Sequence, residues 1–186
     1  MVDLALLQSV SYIAGALGVC VAAIYYVMTL RVQQTNMKAT LQTREANLYM
    51  QILNKIDTLE FQTIWFDVMN WEFKTPEEFT ENIWPIKENK AKMAYVGLLL
   101  EGVGVAVKKK LINIDLIDDL FSMWVIGYWE KYGPCEIYFR ERFKAPQNAE
   151  FIEFLYDEVV KVNTSQYPAL EGKTKSILES HLSKDN

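Results

Sequence analysis

An all-α chain is expected: one N-terminal transmembrane helix, a stalk that continues it, then a cytoplasmic helical bundle. Three observations predict this. From Leu4 to Leu30 there is no charged residue, and Arg31 ends the run. Between Gly18 and Pro76 there is neither glycine nor proline, so the strongest helix breakers are missing over a long stretch. Little of the remainder alternates apolar and polar residues as a strand would.

The uncharged run exceeds the roughly 20 apolar residues that a bilayer-spanning helix needs. A cleaved signal peptide begins with a basic segment and has a short apolar core. Here Met1, Val2 and Asp3 precede the run, and it is too long for such a core. A core helix of a soluble protein is rarely free of charge on every face over this length. Orientation follows from Arg31, Lys38 and Arg44, which outnumber Glu45 just beyond the run. The positive-inside rule places them in the cytoplasm. The expectation is a single-pass protein of the cell membrane, N-terminus outside. Tyr25 and Tyr26 sit near the inner end, where an aromatic belt belongs. The expected divisions are an anchor over 1–30, a stalk over 31–60, a bundle over 61–163 and a polar tail over 164–186.

The stalk is rich in good helix formers, with a thin apolar stripe through Met37, Leu41, Leu48, Ile52, Ile56 and Leu59. Glu45 and Lys55 interrupt any regular heptad, so it should become buried as it enters the bundle rather than form a coiled coil. Phe61 to Phe73 reads as an aromatic helix. Thr75-Pro76-Glu77-Glu78 is a helix start with a capping box, and Pro85 stops that helix. Asn89 to Lys110 reads as a long core helix. Its apolar centre, Met93 to Val107, is short for a second span and contains Glu101, which is costly at a bilayer centre. Lys108, Lys109 and Lys110 close it at the negative end of the helix dipole. Asp115 is expected to cap the next helix and Gly133-Pro134 to end it. A further helix follows from Pro134 to Phe143, another from Asn148 or Ala149 to Val162, and a short one over Thr174 to Leu182.

The 186 residues carry 19 Lys and Arg against 24 Asp and Glu. All the basic residues lie after the anchor, yet that part is still acidic, which argues against nucleic acid as a partner. All five tryptophans fall between Trp65 and Trp129, so the packed domain should centre there. Cys20 and Cys135 are too differently placed to pair, and the lone histidine is His181. A zinc site of His and Cys is excluded, no calcium-loop spacing occurs, and no cofactor is expected.

Within the anchor Ala14, Gly18 and Ala22 recur at every fourth position, with Ser11 and Gly15 beside them. Such a stripe lets a second transmembrane helix approach closely. Glu101-Gly102-Val103-Gly104 has glycines but lacks the remaining residues and the strand-to-helix setting of a phosphate loop. Its glycines should instead admit a bulky neighbour such as Trp124, and Glu101 should pair with a base. Trp124, Tyr128, Trp129 and Tyr132 read more simply as core and rim of one helix than as a stacking platform.

Tyr95 to Lys109 (Tyr-Val-Gly-Leu-Leu-Leu-Glu-Gly-Val-Gly-Val-Ala-Val-Lys-Lys), Leu111-Ile112 and Tyr128-Trp129-Glu130-Lys131-Tyr132 follow the span and its polar stalk. This order resembles a family of prokaryotic single-span helical proteins known only as a domain of unknown function, over most of Thr29 to Val162. The resemblance implies a fold arrangement and supplies no activity and no catalytic residue.

With no catalytic constellation, the expected function is that of a non-enzymatic interaction or scaffold protein, with the lipid bilayer and another transmembrane helix, of a second copy or of a larger membrane complex, as its contacts. It would serve as an accessory subunit of a larger membrane complex. The alternative is a small-molecule-sensing module whose pocket is lined by Glu101, Trp124 and Trp129.

Overall fold

The structure, a computed structural model, describes residues 4–166; the expectations for Asp3, His181 and Thr174 to Leu182 lie outside them. Six helices and no strand occur among the described residues. The chain divides into two compact units, residues 1–46 and residues 47–186.

The described residues of the first unit lie within helix α1, Leu4–Ile56. The anchor residues from Leu4 and the stalk as far as Ile56 thus lie in one helix, and the last expected stalk residues, Leu59 and Glu60, belong to the next one. The hydroxyls of Ser9, Ser11 and Thr29 donate to the carbonyls of Ala5, Leu7 and Tyr25 at 2.9, 3.0 and 2.9 Å. Each hydroxyl is satisfied inside the helix.

The second unit starts at Asn47 and holds the last turns of α1, where Ile52 and Ile56 are buried. Helix α2, Leu59–Asn70, starts at Thr58, whose side chain accepts the Phe61 N–H, and buries Phe61, Trp65 and Val68. This i, i+4, i+7 spacing is one face of a helix. Helix α3 is the short Pro76–Glu78, continued by a π turn over Phe79–Ile83. The capping box forms with one change. Thr75 Oγ1 accepts the Glu78 N–H at 3.2 Å, whereas Glu78 Oε2 accepts the N–H of Lys74, not of Thr75, at 2.9 Å. Helix α4, Lys87–Lys108, buries Met93, Val96, Leu100, Val103 and Val107, which makes it a core helix. Lys108 Nζ lies 4.2 Å over the Phe154 ring.

Helix α5, Ile114–Phe143, corrects two expectations. Its cap is Asn113, whose side chain accepts the Asp115 N–H at 3.3 Å, and Asp115 lies in the first turn. Nor does Gly133-Pro134 end it: the helix runs through Pro134, merging the two helices expected there. Proline removes one i to i−4 hydrogen bond. Pro134 and Glu130 are both exposed, so water can take the freed carbonyl. On the opposite face Tyr132, Gly133, Cys135, Glu136 and Phe139 are buried, and that burial holds the helix together across the proline.

Helix α6, Glu150–Gln166, packs along α4 and α5 and buries Ile152, Leu155 and Val159. Its glycine contact also corrects an expectation. A Cβ on Gly104 would stand 2.1 Å from the Phe151 carbonyl oxygen, so Gly104 admits the backbone of α6 rather than Trp124. Gly102 faces open space.

The C-terminus of α2 is closed by α5. Lys131 Nζ donates to the Met69 and Trp71 carbonyls at 2.6 and 2.7 Å, and the Tyr132 hydroxyl donates to the Val68 carbonyl. Carbonyls at a helix end lack the usual i+4 donor; Val68 also accepts the Trp71 N–H at 3.4 Å, and the ammonium suits the negative end of the helix dipole.

Candidate functional site

A cavity of about 560 Å³ opens between α4, α5 and the 144–149 turn. That volume lies within the range of small-molecule sites. Helix α4 contributes Met93, Ala94, Gly97, Leu98 and Glu101; α5 contributes Tyr128, Glu136, Phe139 and Phe143. Trp84 and Ile152 complete two sides, and Asn148 and Ala149 line the turn. Lys144 and Ala149 frame that turn at φ 53° and 54°, in the left-handed region that non-glycine residues enter only as single turn positions.

Three polar groups of the cavity, Tyr128, Glu136 and Asn148, form one connected set. The Tyr128 hydroxyl donates to Glu136 Oε1 at 2.9 Å and lies 3.8 Å from Met93 Sδ. A Cβ on Gly97 would come within 3.3 Å of that hydroxyl, so glycine there lets the tyrosine reach under α4. Asn148 Nδ2 donates to Glu136 Oε2 at 2.6 Å. Arg140 in turn donates from Nε to the Asn148 carbonyl at 2.7 Å and from Nη1 to Glu153 at 2.6 Å.

Among the described residues Glu101 pairs with no base. Its Oε2 accepts the Ile152 N–H at 2.9 Å. Ala149, which precedes α6, has no side-chain acceptor, so a carboxylate from α4 caps α6 in its place and meets the positive end of its dipole.

Glu101 is therefore the one expected pocket residue that lines this cavity. Trp124 packs on Trp65 and Phe61, with ring centres 4.5 and 5.6 Å apart. Trp129 lies against Gly133, with Arg140 5.9 Å and Tyr156 6.2 Å from its ring centre. In α1, Ser11, Ala14, Gly15, Gly18 and Ala22 are all exposed, and nothing stands within 4 Å of a Cβ built on either glycine. Among the described residues no three His, Cys, Asp or Glu side chains gather as a metal site would need.

A family model for a domain of unknown function, DUF4760, matches residues 13–159, which take in the whole cavity. The chain belongs to the DUF4760 family. No curated protein and no solved structure matches it. The segments that carried the resemblance, Tyr95 to Ile112 and Tyr128 to Tyr132, lie inside the matched region. In this DUF4760 chain, Tyr128, Lys131 and Tyr132 of the second segment are the residues that hold Glu136 and close α2.

Burial pushes the Glu136 carboxyl above its usual range, and the charge of Glu101 adds to this. Hydrogen bonds from Tyr128 and Asn148 and the charge of Arg140 pull the other way. A carboxyl raised in the folded state holds its proton to higher pH than in the unfolded chain. Its contribution to stability is complete below the unfolded value and is lost as pH rises through the folded one. Glu136→Gln is expected to flatten the decline of Tm with pH above about 4.3, the ordinary glutamate value. Asp118, raised chiefly by burial, keeps its own share of that decline. Thermal unfolding of the full chain in mild detergent across this range reads the difference. An unchanged slope in the variant would mean that Glu136 does not titrate in the folded protein.

Proposed function

We propose that this DUF4760 protein is a non-enzymatic interaction module fixed to the cell membrane by the first part of α1, with its N-terminus outside and its helical domain in the cytoplasm. It acts as an accessory subunit of a larger membrane assembly, docking through a second transmembrane helix. One observation carries this reading: α1 is long and apolar enough to cross a membrane, and none of its apolar window is buried within the chain. The apolar surface is left for lipid and a neighbouring helix to cover. Arg31, Lys38 and Arg44 at its inner end support the orientation, and the small residues Ala14, Gly18 and Ala22 support helix docking.

The test is purification of the full chain from membranes in mild detergent, with in-membrane crosslinking and mass spectrometry of co-purifying chains. A defined crosslinked species is expected, and Ala14→Leu with Gly18→Leu should abolish it while the chain stays in the membrane fraction. Release by alkaline carbonate would overturn the anchor, and recovery of the free monomer alone would overturn the docking role.

A further inference from the structure

We propose that the cavity between α4 and α5 binds an organic cation, an ammonium group carried on an apolar body. Among the described residues only two of its lining side chains are acidic or basic, Glu101 and Glu136, and no lysine or arginine lines it. Glu136 is 7 % exposed, so its position is built into the core and is not an accident of the surface. The remaining walls are chiefly apolar and aromatic: Tyr128 and Phe139 inside, Leu98 and Phe143 exposed at the rim. Rings beside a carboxylate attract a cation by their negative faces as well as by charge. Lys90 Nζ, 5.0 Å over Trp84, already uses one of these rings in that way.

The alternatives fit less well. An anion would meet two carboxylates with no base among the lining groups. A metal ion needs more oxygen ligands than two carboxylates and an amide supply. A neutral ligand would leave the buried Glu136 with nothing to offset its desolvation beyond the Tyr128, Asn148 and Arg140 contacts it already has. The groups facing Glu136 are Glu101 from α4, Tyr128 and Arg140 from α5, and Asn148 from the turn. Arg140 is held by the Asn148 carbonyl and Glu153, which leaves room for one more positive charge beside the two acids. This site is independent of how α1 docks.

Three soluble probes of one skeleton test the proposal: phenethylammonium, phenethyl alcohol and 3-phenylpropionate. They are titrated calorimetrically into the full chain in neutral-lipid nanodiscs, with empty nanodiscs as the reference. The ammonium is expected to bind at least about tenfold tighter than the alcohol, and the carboxylate not measurably. Ala94→Trp, at an exposed position on the cavity wall, should remove binding of both. Glu101→Gln with Glu136→Gln should erase the preference for the cation. Should that double variant fail to fold, the wild-type series and Ala94→Trp still decide the matter. Equal affinity for ammonium and alcohol, tighter binding of the carboxylate, no binding of the ammonium, or an affinity unmoved by Ala94→Trp would each overturn it.

Discussion

Gly104→Ala is expected to destabilise the domain by about 3 kcal/mol or more, while Gly102→Ala, two residues away, stabilises it by about 0.5–1 kcal/mol. The two glycines share a helix and a motif, and differ only in what they face. At Gly104 a methyl group would stand 2.1 Å from the Phe151 carbonyl oxygen and 2.7 Å from its carbonyl carbon. Those atoms belong to the α6 backbone and cannot swing aside as a side chain would. Either α6 slides away from α4, loosening the buried Ile152, Leu155 and Val159, or the methyl stays strained. The same shift would draw the Ile152 N–H from Glu101, so cap and packing fail together. At Gly102 nothing stands within 4 Å, and alanine improves helix propensity without a new contact. Thermal and urea unfolding of the full chain in mild detergent give both values. Equal stability of the two variants would show that α4 and α6 do not approach this closely.

The fold class, the long first helix and the aromatic centre were legible because each is a local, repeated signal. Charge-free length announces α1, and the spacings of Phe61, Trp65 and Val68 or of Met93, Val96 and Leu100 announce buried helix faces. The site was less legible. Gly133-Pro134 read as a stop, which split α5 and hid Glu136. Read as one helix, Tyr128, Tyr132 and Glu136 fall four apart on a single face, and Glu136 becomes an acid on a buried stripe. That spacing was the available signal. Burial of both flanks of the proline decided the outcome, and it depends on α4 and α6, which local pattern does not contain. Glu101 eluded the reading for a similar reason. An acid in an apolar run suggests a basic partner, whereas its acceptor role answers the uncapped start of α6. Lys131 and Tyr132 close the end of a helix more than 60 residues earlier. Such long-range caps leave no periodic trace.

Phe79→Ala is expected to cost about 3–5 kcal/mol, the range for removing a fully buried phenylalanine. Phe79 is fully buried, and it stands where the chain has least to hold itself. Helix α3 and the π turn after it are too short to be stable alone. The ring fixes them by contacts to Phe73, Tyr132 and Phe139, with centres 5.0, 5.6 and 6.1 Å away. Tyr132 is also the residue that closes α2, and Phe139 lines the cavity, so one ring links the end of α2 to the cavity wall. Trp84, 6.3 Å from Phe79 and 4.9 Å from Phe139, extends the cluster along that wall. The loss should therefore exceed that of an isolated core truncation in one respect: tryptophan fluorescence should shift toward water exposure before global unfolding, because Trp84 loses its support. Phe66→Ala is the control. Phe66 is 59 % exposed, and its removal should change stability by no more than about 0.5 kcal/mol. A Phe79 variant as stable as the Phe66 variant would mean that the π turn is held by its backbone alone, and that the aromatic cluster does not join α2 to the cavity.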